Sequence, residues 1–254
     1  MKNISTLALI LFIVIGCKNK AEKTTEDVSS GPMVKVAAQE EWAVLFDGTS
    51  LDAWQLYQGG AIAHWKIEDG ALVFDPPTPE ELKGAEGEGK KHFNLATKKA
   101  YTSFVLSMEW KISKGGNSGL IWGVNEDEKY KKPYHTGMEI QVLDNKNHPD
   151  AKNGPTHQAG ALYDLVASTQ DVTKNVGEWN TCVITIDHRT NKGSSVLNGV
   201  EVATFPVAGA ELDALLKGSK FDGWDGFAQY KTGKIVLQDH SAVVAFRNIK
   251  IKEL

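Results

Sequence analysis

From Trp42 onward, apolar residues recur at every second position along segment after segment. In SFVLSMEWKIS, residues 103–113, Phe104, Leu106, Met108, Trp110 and Ile112 fall on one side, and Ser107, Glu109 and Lys111 on the other. Successive strand side chains point to opposite faces, so this period of two predicts a strand with one buried side. NTCVITIDHRT repeats the pattern, with Cys182, Ile184 and Ile186 set against Thr181, Thr185 and Asp187. MEIQVL does so again, with Met138, Ile140 and Val142 against Glu139 and Gln141, and VVAFRNIKIKEL closes the chain on another alternating run. Asp69-Gly70 between HWKIE and ALVF, and Asn198-Gly199 between SSVL and VEVATF, are dipeptides suited to the positive φ of two-residue hairpin turns. A helical period shows only at Ala210–Lys217, and Gly218 stops it. Many strands with hairpin turns and no internal repeat predict an antiparallel sandwich or barrel and disfavour a propeller. Four long loops, 75–100, 124–137, 144–160 and 206–233, interrupt the strands. Loops of that length in a compact domain are usually functional or disordered, and three of these are rich in tyrosine, tryptophan or histidine.

The first 39 residues have a different texture. Lys2, an apolar stretch from Leu7 to Ile15 and small Gly16 before Cys17 predict a lipoprotein signal over residues 1–16, cleaved so that Cys17 carries the lipid. The stretch is too short to span a bilayer, and no second segment is apolar enough, so the lipid is the expected membrane contact. Residues 17–39, beginning CKNKAEKTTEDVSSGP, are too polar to bury a core and read as a tether. Residues 40–254 then form one domain, placed by this leader at a bacterial cell envelope and facing periplasm or cell surface. Without Lys2 the remaining chain carries 27 basic against 32 acidic residues, a net charge of −5, which argues against a nucleic-acid surface. Cys182 is then the sole other cysteine, inside an alternating strand, and reads as a buried inert thiol.

The candidate chemistry gathers in HTGMEIQVLDNKNHPDAKNGPTHQAGALYDL, residues 135–165. Glu139 and Gln141 lie on the strand face away from the core, either in a sugar-binding groove or on a solvated surface. Asp144 has the wrong parity to join them unless a bulge re-aims it. With His148, Asp150 and His157 it forms the spacing D-x3-H-x-D-x6-H. Imidazoles and carboxylates suit a borderline divalent ion, or equally a loop pinned by His–Asp hydrogen bonds. Near the C-terminus, Gln238 and His240 share one face of IVLQDH, and His240 is a candidate proton carrier. Asn117, following the glycines at 115 and 116, and Trp122, Trp224, Tyr130, Tyr134 and Tyr163 are candidates for contacting or stacking on a sugar. His64, His92 and His188 stand alone and read as structural.

EWAVLFDGTSLDAWQ, GGNSGLIWG, TGMEIQVLDN, HQAGALYDL, GEWNTCVI, LNGVEV and IVLQDHSAVVAFRNIKIKEL follow one another as in the 3-keto-disaccharide hydrolase domain family, which this chain resembles from Glu41 to its end. The resemblance implies a concanavalin A-like jelly roll of two antiparallel sheets and action on glycosides oxidised to a ketone at C3. In such substrates the ketone acidifies the C2 proton, so a base can start elimination of the C1 substituent, and water can add afterwards. Mapped onto this chain, the resemblance implies Glu139, His157 and His240 as catalytic groups. Asp144, His148 and His157 become ligands of a possible divalent metal, with Asn117, Trp122, Gln141, Tyr163, Trp224 and Gln238 around the carbohydrate. Two rivals are a conventional retaining glycosidase using Glu139 and Asp144, and a non-catalytic carbohydrate-binding module.

Overall fold

The computed structural model describes residues 41–83 and 92–254. The expected signal peptide, Cys17 and the tether lie outside the described residues. Thirteen strands alternate with short turns: β1 (Ala43–Phe46), β2 (Trp54–Leu56), β3 (Trp65–Glu68), β4 (Ala71–Phe74), β5 (Leu95–Thr97), β6 (Phe104–Ile112), β7 (Asn117–Val124), β8 (Met138–Leu143), β9 (Asn180–Asp187), β10 (Lys192–Leu197), β11 (Val200–Phe205), β12 (Lys234–Leu237) and β13 (Val244–Glu253). Two short helices, α1 (Pro79–Lys83) and α2 (Gly209–Leu216), interrupt them. Among the described residues, no helix is long and apolar enough to cross a membrane.

The strands form two antiparallel sheets. One has eight strands in the order β11-β10-β9-β6-β13-β4-β3, with β1 also pairing along the second half of β13. The other has five, in the order β2-β5-β12-β7-β8. This is the jelly-roll sandwich that the alternation implied. Leu106, Met108 and Trp110 of β6 pack in one buried cluster with Leu120 of β7 and Met138, Ile140 and Val142 of β8. Both hairpin dipeptides take positive φ at their two positions: 51° and 71° at Asp69-Gly70, 50° and 83° at Asn198-Gly199. α2 stops just before Gly218, whose φ is 82°.

Strand β7 departs from simple alternation, because all eight of its residues are buried. One side faces the opposite sheet, while Asn117, Gly119 and Ile121 are covered from outside. Trp122 lies on the inner side. It is 2% exposed and stacks on Phe205 of β11, with ring centroids 5.7 Å apart. The expected sugar-stacking role for Trp122 is therefore corrected: its parity matches Leu120, and it belongs to the core. Strand β8 ends the five-stranded sheet, but its outer ladder is not left open. Gln141 N donates to Ala161 O, Gly160 N to Gln141 O, and Tyr163 N to Glu139 O, at 3.1, 2.9 and 2.9 Å. Residues 160–163 thus cover the strand edge.

Trp122→Ala removes a large ring from between the sheets and is expected to lower stability by about 3–5 kcal/mol. Denaturant unfolding measures this. A change below about 1 kcal/mol would contradict a core position.

Candidate active site

The outer face of the five-stranded sheet carries a hollow of about 300 Å³, at the small end of the range for ligand sites. Its floor follows from strand register. Gly119 of β7 pairs with Gln141 of β8, and Ile121 pairs with Glu139, so these side chains share the outward face. On the other side of β7, Gln238 N donates to Gly119 O at 2.9 Å, and Ser118 Oγ donates to Gln238 O at 2.7 Å. These bonds fix Gln238 beside the same glycine. A Cβ at 119 would sit 2.6 Å from the carboxyl carbon of Glu139, so glycine is required where that carboxyl lies across the sheet. Gln238 Nε2 donates to Glu139 Oε2 at 3.2 Å.

Aromatic rings build one wall: Tyr134, Phe221, Trp224 and Phe227. Phe221 and Phe227 stack with centroids 3.9 Å apart, and Trp224 meets Phe221 edge-on at 5.4 Å while remaining 38% exposed. Tyr163 and Lys220 form another wall, with Nζ of Lys220 3.8 Å from the centre of the tyrosine ring. The Tyr163 hydroxyl donates to Asp150 Oδ2 at 3.1 Å. His240 stands at the rim, open to solvent on its outer side, with its ring 6.4 Å from that of His148.

Burial sets the protonation of this site. It pushes the Glu139 carboxyl up to about 8, against the opposing pull of Lys220 and the Gln238 hydrogen bond. It pushes the His240 imidazole below its ordinary value, helped by neighbouring His148 and opposed by Asp150. Near neutral pH, Glu139 therefore holds a proton and His240 does not. The Lys220 ammonium is lowered by burial, partly offset by Asp164, Glu139 and Asp150. Two buried acceptors, Asn117 Oδ1 and Gln238 Oε1, have no hydrogen-bond partner within the protein. Unmet buried acceptors are uncommon in folded proteins, and here both belong to residues lining the hollow.

Glu139, Gln141, Asn117, Gln238, Tyr163, Trp224 and His240, scattered over more than a hundred positions in the sequence, thus share one cavity. The expected metal ligands do not. Asp144 follows the end of β8 without a bulge, and its carboxylate accepts from Gly115 N, Asn147 Nδ2, Lys146 N and Asn147 N at 2.7, 2.7, 3.2 and 3.3 Å. Burial works against its ionisation, but these bonds prevail and lower its pKa. Asp144 organises a turn and does not line the cavity, so the expected Glu139–Asp144 pair of a retaining glycosidase is also corrected. Nδ1 of His148 accepts from Asp150 N at 3.1 Å, capping the short 3₁₀ turn at Pro149–Asn153. His157 sits between Thr156 Oγ1 at 3.0 Å and Asp164 Oδ1 at 3.3 Å, with its ring edge-on to Tyr163. It supports the wall from behind and is not among the lining groups, which corrects its expected catalytic place. Among the described residues, no three His, Cys, Asp or Glu side chains gather as a metal site, so this ligand set does not fit an ion.

Other expectations concern residues away from the cavity. Tyr130 is buried, and its carbonyl accepts from the Tyr57 hydroxyl at 2.8 Å. His64, His92 and His188 do not line the hollow. Cys182 is buried, and burial pushes its thiol up to about 12, so it remains protonated. Lys220, Phe221 and Phe227 also line the cavity, although no periodicity marks them. The only signal was the spacing of Phe221, Trp224 and Phe227 in a glycine-containing loop, FDGWDGF.

Residues 41–252 match the family described as 3-keto-alpha-glucoside-1,2-lyase-like domain. The chain is 33% identical over 236 residues to the 3-keto-disaccharide hydrolase of Bacteroides thetaiotaomicron, covering 84% of this chain and 78% of the relative. Among solved structures, a candidate glycosyl hydrolase from Parabacteroides distasonis superposes with a TM-score of 0.75 at 28% identity, over 85% of this chain and 95% of the other. An endo-beta-1,3(4)-glucanase of glycoside hydrolase family 16 shares the fold alone, with a TM-score of 0.50 at 13% identity, over 86% and 97% of the two chains.

A carboxyl held neutral by burial also leaves a mark on stability. Unfolded, Glu139 ionises above about pH 4.3, whereas folded it keeps its proton to about 8. Between those values the unfolded state binds fewer protons, so stability falls as pH rises. Glu139→Gln abolishes this loss. Urea midpoints of wild type and variant are expected to diverge in the variant's favour from about pH 5 to about pH 8, then run parallel. Parallel curves throughout would show that Glu139 ionises normally.

Proposed function

The chain belongs to the 3-keto-alpha-glucoside-1,2-lyase-like family and is an enzyme, and we propose on that footing that it cleaves 3-keto-glycosides by elimination followed by hydration. The observation that carries this reading is the convergence of a desolvated carboxyl, Glu139, and an imidazole, His240, on one cavity. Burial leaves Glu139 protonated and His240 free near neutral pH. Titratable groups whose environments push their pKa values apart mark the acid and the base.

In the first step His240 takes the proton from C2. The C–H electron pair becomes a C2=C3 double bond, and the ketone oxygen becomes an oxyanion. The oxyanion then re-forms the C3 carbonyl while a C1=C2 bond forms and the C1–O bond breaks. Glu139 gives its proton to the departing oxygen, leaving a carboxylate beside the Gln238 amide. Hydration reverses the proton traffic. Glu139 takes a proton from water as its oxygen joins C1, and His240 returns a proton to C2, so both groups regain their starting states. The amides of Asn117, Gln141 and Gln238 line the floor and orient the sugar ring against it. Trp224, exposed on the aromatic wall, offers a stacking surface for the sugar or its leaving group.

We place this activity at the cell envelope, anchored by lipid on Cys17. Radiolabelled palmitate is expected to enter the full chain expressed in a bacterium and to be absent from Cys17→Ser. Equal labelling of both would remove the anchor.

On a 3-keto-glucoside, kcat/KM is expected to describe a bell. Its acid limb reports His240, below the ordinary histidine value of about 6.5, and its alkaline limb reports Glu139 near pH 8. Glu139→Gln and His240→Ala should each lower kcat by about 10²–10⁴ and erase the corresponding limb. The unoxidised glucoside should remain intact. Comparable turnover of the unoxidised compound, or full activity in both variants, would defeat the proposal.

A further inference from the structure

With Glu139 protonated and His240 neutral, the hollow contains one formal charge. Lys220 is the sole lysine or arginine among the residues lining it. Its ammonium is held over the ring of Tyr163, Nζ to ring centre 3.8 Å, and over that of Phe221 at 5.0 Å. Asp164, Asp150 and Glu139 all act on it through space, yet among the described residues no carboxylate forms an ion pair with it within 4 Å. An aromatic face attracts a cation without supplying a hydrogen-bond acceptor, so it positions the ammonium while leaving N–H donors for another partner. The cavity is thus polarised to receive negative charge, although the sugar it is proposed to bind brings none in its ground state.

The geometry points to Lys220 as the group that meets the negative charge developing on the C3 oxygen during proton abstraction. This assignment rests on the reading of the site as a 3-keto-glycoside eliminase. Deprotonation at C2 creates an oxyanion at C3, and a pre-placed cation lowers the barrier most where charge appears. It fills the role for which the expected metal ligands are unsuited, since Asp144, His148 and His157 are occupied in turns and in the loop behind Tyr163. The Tyr163–Asp150 hydrogen bond then acquires a purpose: it fixes the ring that carries the ammonium.

The test separates enolisation from departure by using 1,5-anhydro-3-ketoglucitol, which has an acidic C2 proton and no leaving group at C1. Exchange of the C2 proton in D₂O is followed by NMR beside cleavage of a 3-keto-glucoside. Wild type should do both. Lys220→Met should slow both by roughly 100-fold or more with KM changed by no more than about threefold, the pattern of a contact made only in the transition state. Lys220→Arg, which keeps the charge, should restore most of the exchange rate. Unchanged melting temperatures would establish that both variants fold. Lys220→Met exchanging and cleaving at the wild-type rate overturns the assignment while leaving the elimination reading intact. A rise in KM alone also overturns it, since Lys220 would then bind the ground state. Failure of wild type to exchange or cleave defeats the elimination reading itself, and this assignment with it.

Discussion

The lack of a side chain at Gly119 is the constraint on which this site depends. The carboxyl of Glu139 lies in the space that a Cβ at 119 would fill, with Gln141 across one ladder and Gln238 across the other. Flattened against the sheet, the carboxyl loses water that its one amide donor does not replace, so its proton is retained near neutral pH. From that follows the division of labour with His240, which stays neutral at the rim for a related reason: lost hydration disfavours whichever form is charged. Two different places in one hollow, the sheet face and the rim, therefore favour an acid and a base of opposite ionisation.

Fold and site impose different demands on the same strands. Residues 120, 122, 138, 140 and 142 are apolar and fill the interior, while 117, 139, 141 and 238 present amides and a carboxyl to the hollow. The outward set does little for stability. Glu139 is destabilising as the pH rises, and the unpaired oxygens of Asn117 and Gln238 are desolvated without return. The large inter-sheet core, in which Trp110, Phe104, Phe246 and Leu106 are almost wholly inaccessible, carries these losses.

Much of the architecture was legible because β6, β8 and β9 largely alternate and both hairpins use dipeptides with positive φ. Strand β7 was harder, since burial on both faces removes the polar half of the signal, and Trp122 then looked like an exposed ring beside glycines. Asp144, His148 and His157 do not converge as ligands, for a chemical reason. Oxygen and imidazole nitrogen atoms that ligate ions are the same atoms that cap turns, and spacing alone does not show whether backbone N–H groups already claim them. Asp144 and His148 are claimed in this way. Lys220 had no periodic signature at all. It joins the site because the loop after α2 folds back over β8, a tertiary event that a local pattern does not encode.

The strip at 160–163 lies along β8, the outermost strand of its sheet and the one bearing the acid. Shortening the 144–163 excursion would do more than widen the hollow. It would unsheathe a row of main-chain donors and acceptors flanked by apolar side chains, the kind of template on which other chains add as strands. The segment that frames the reaction is in this sense also a guard against aggregation, so a change that loosens it would threaten solubility together with turnover.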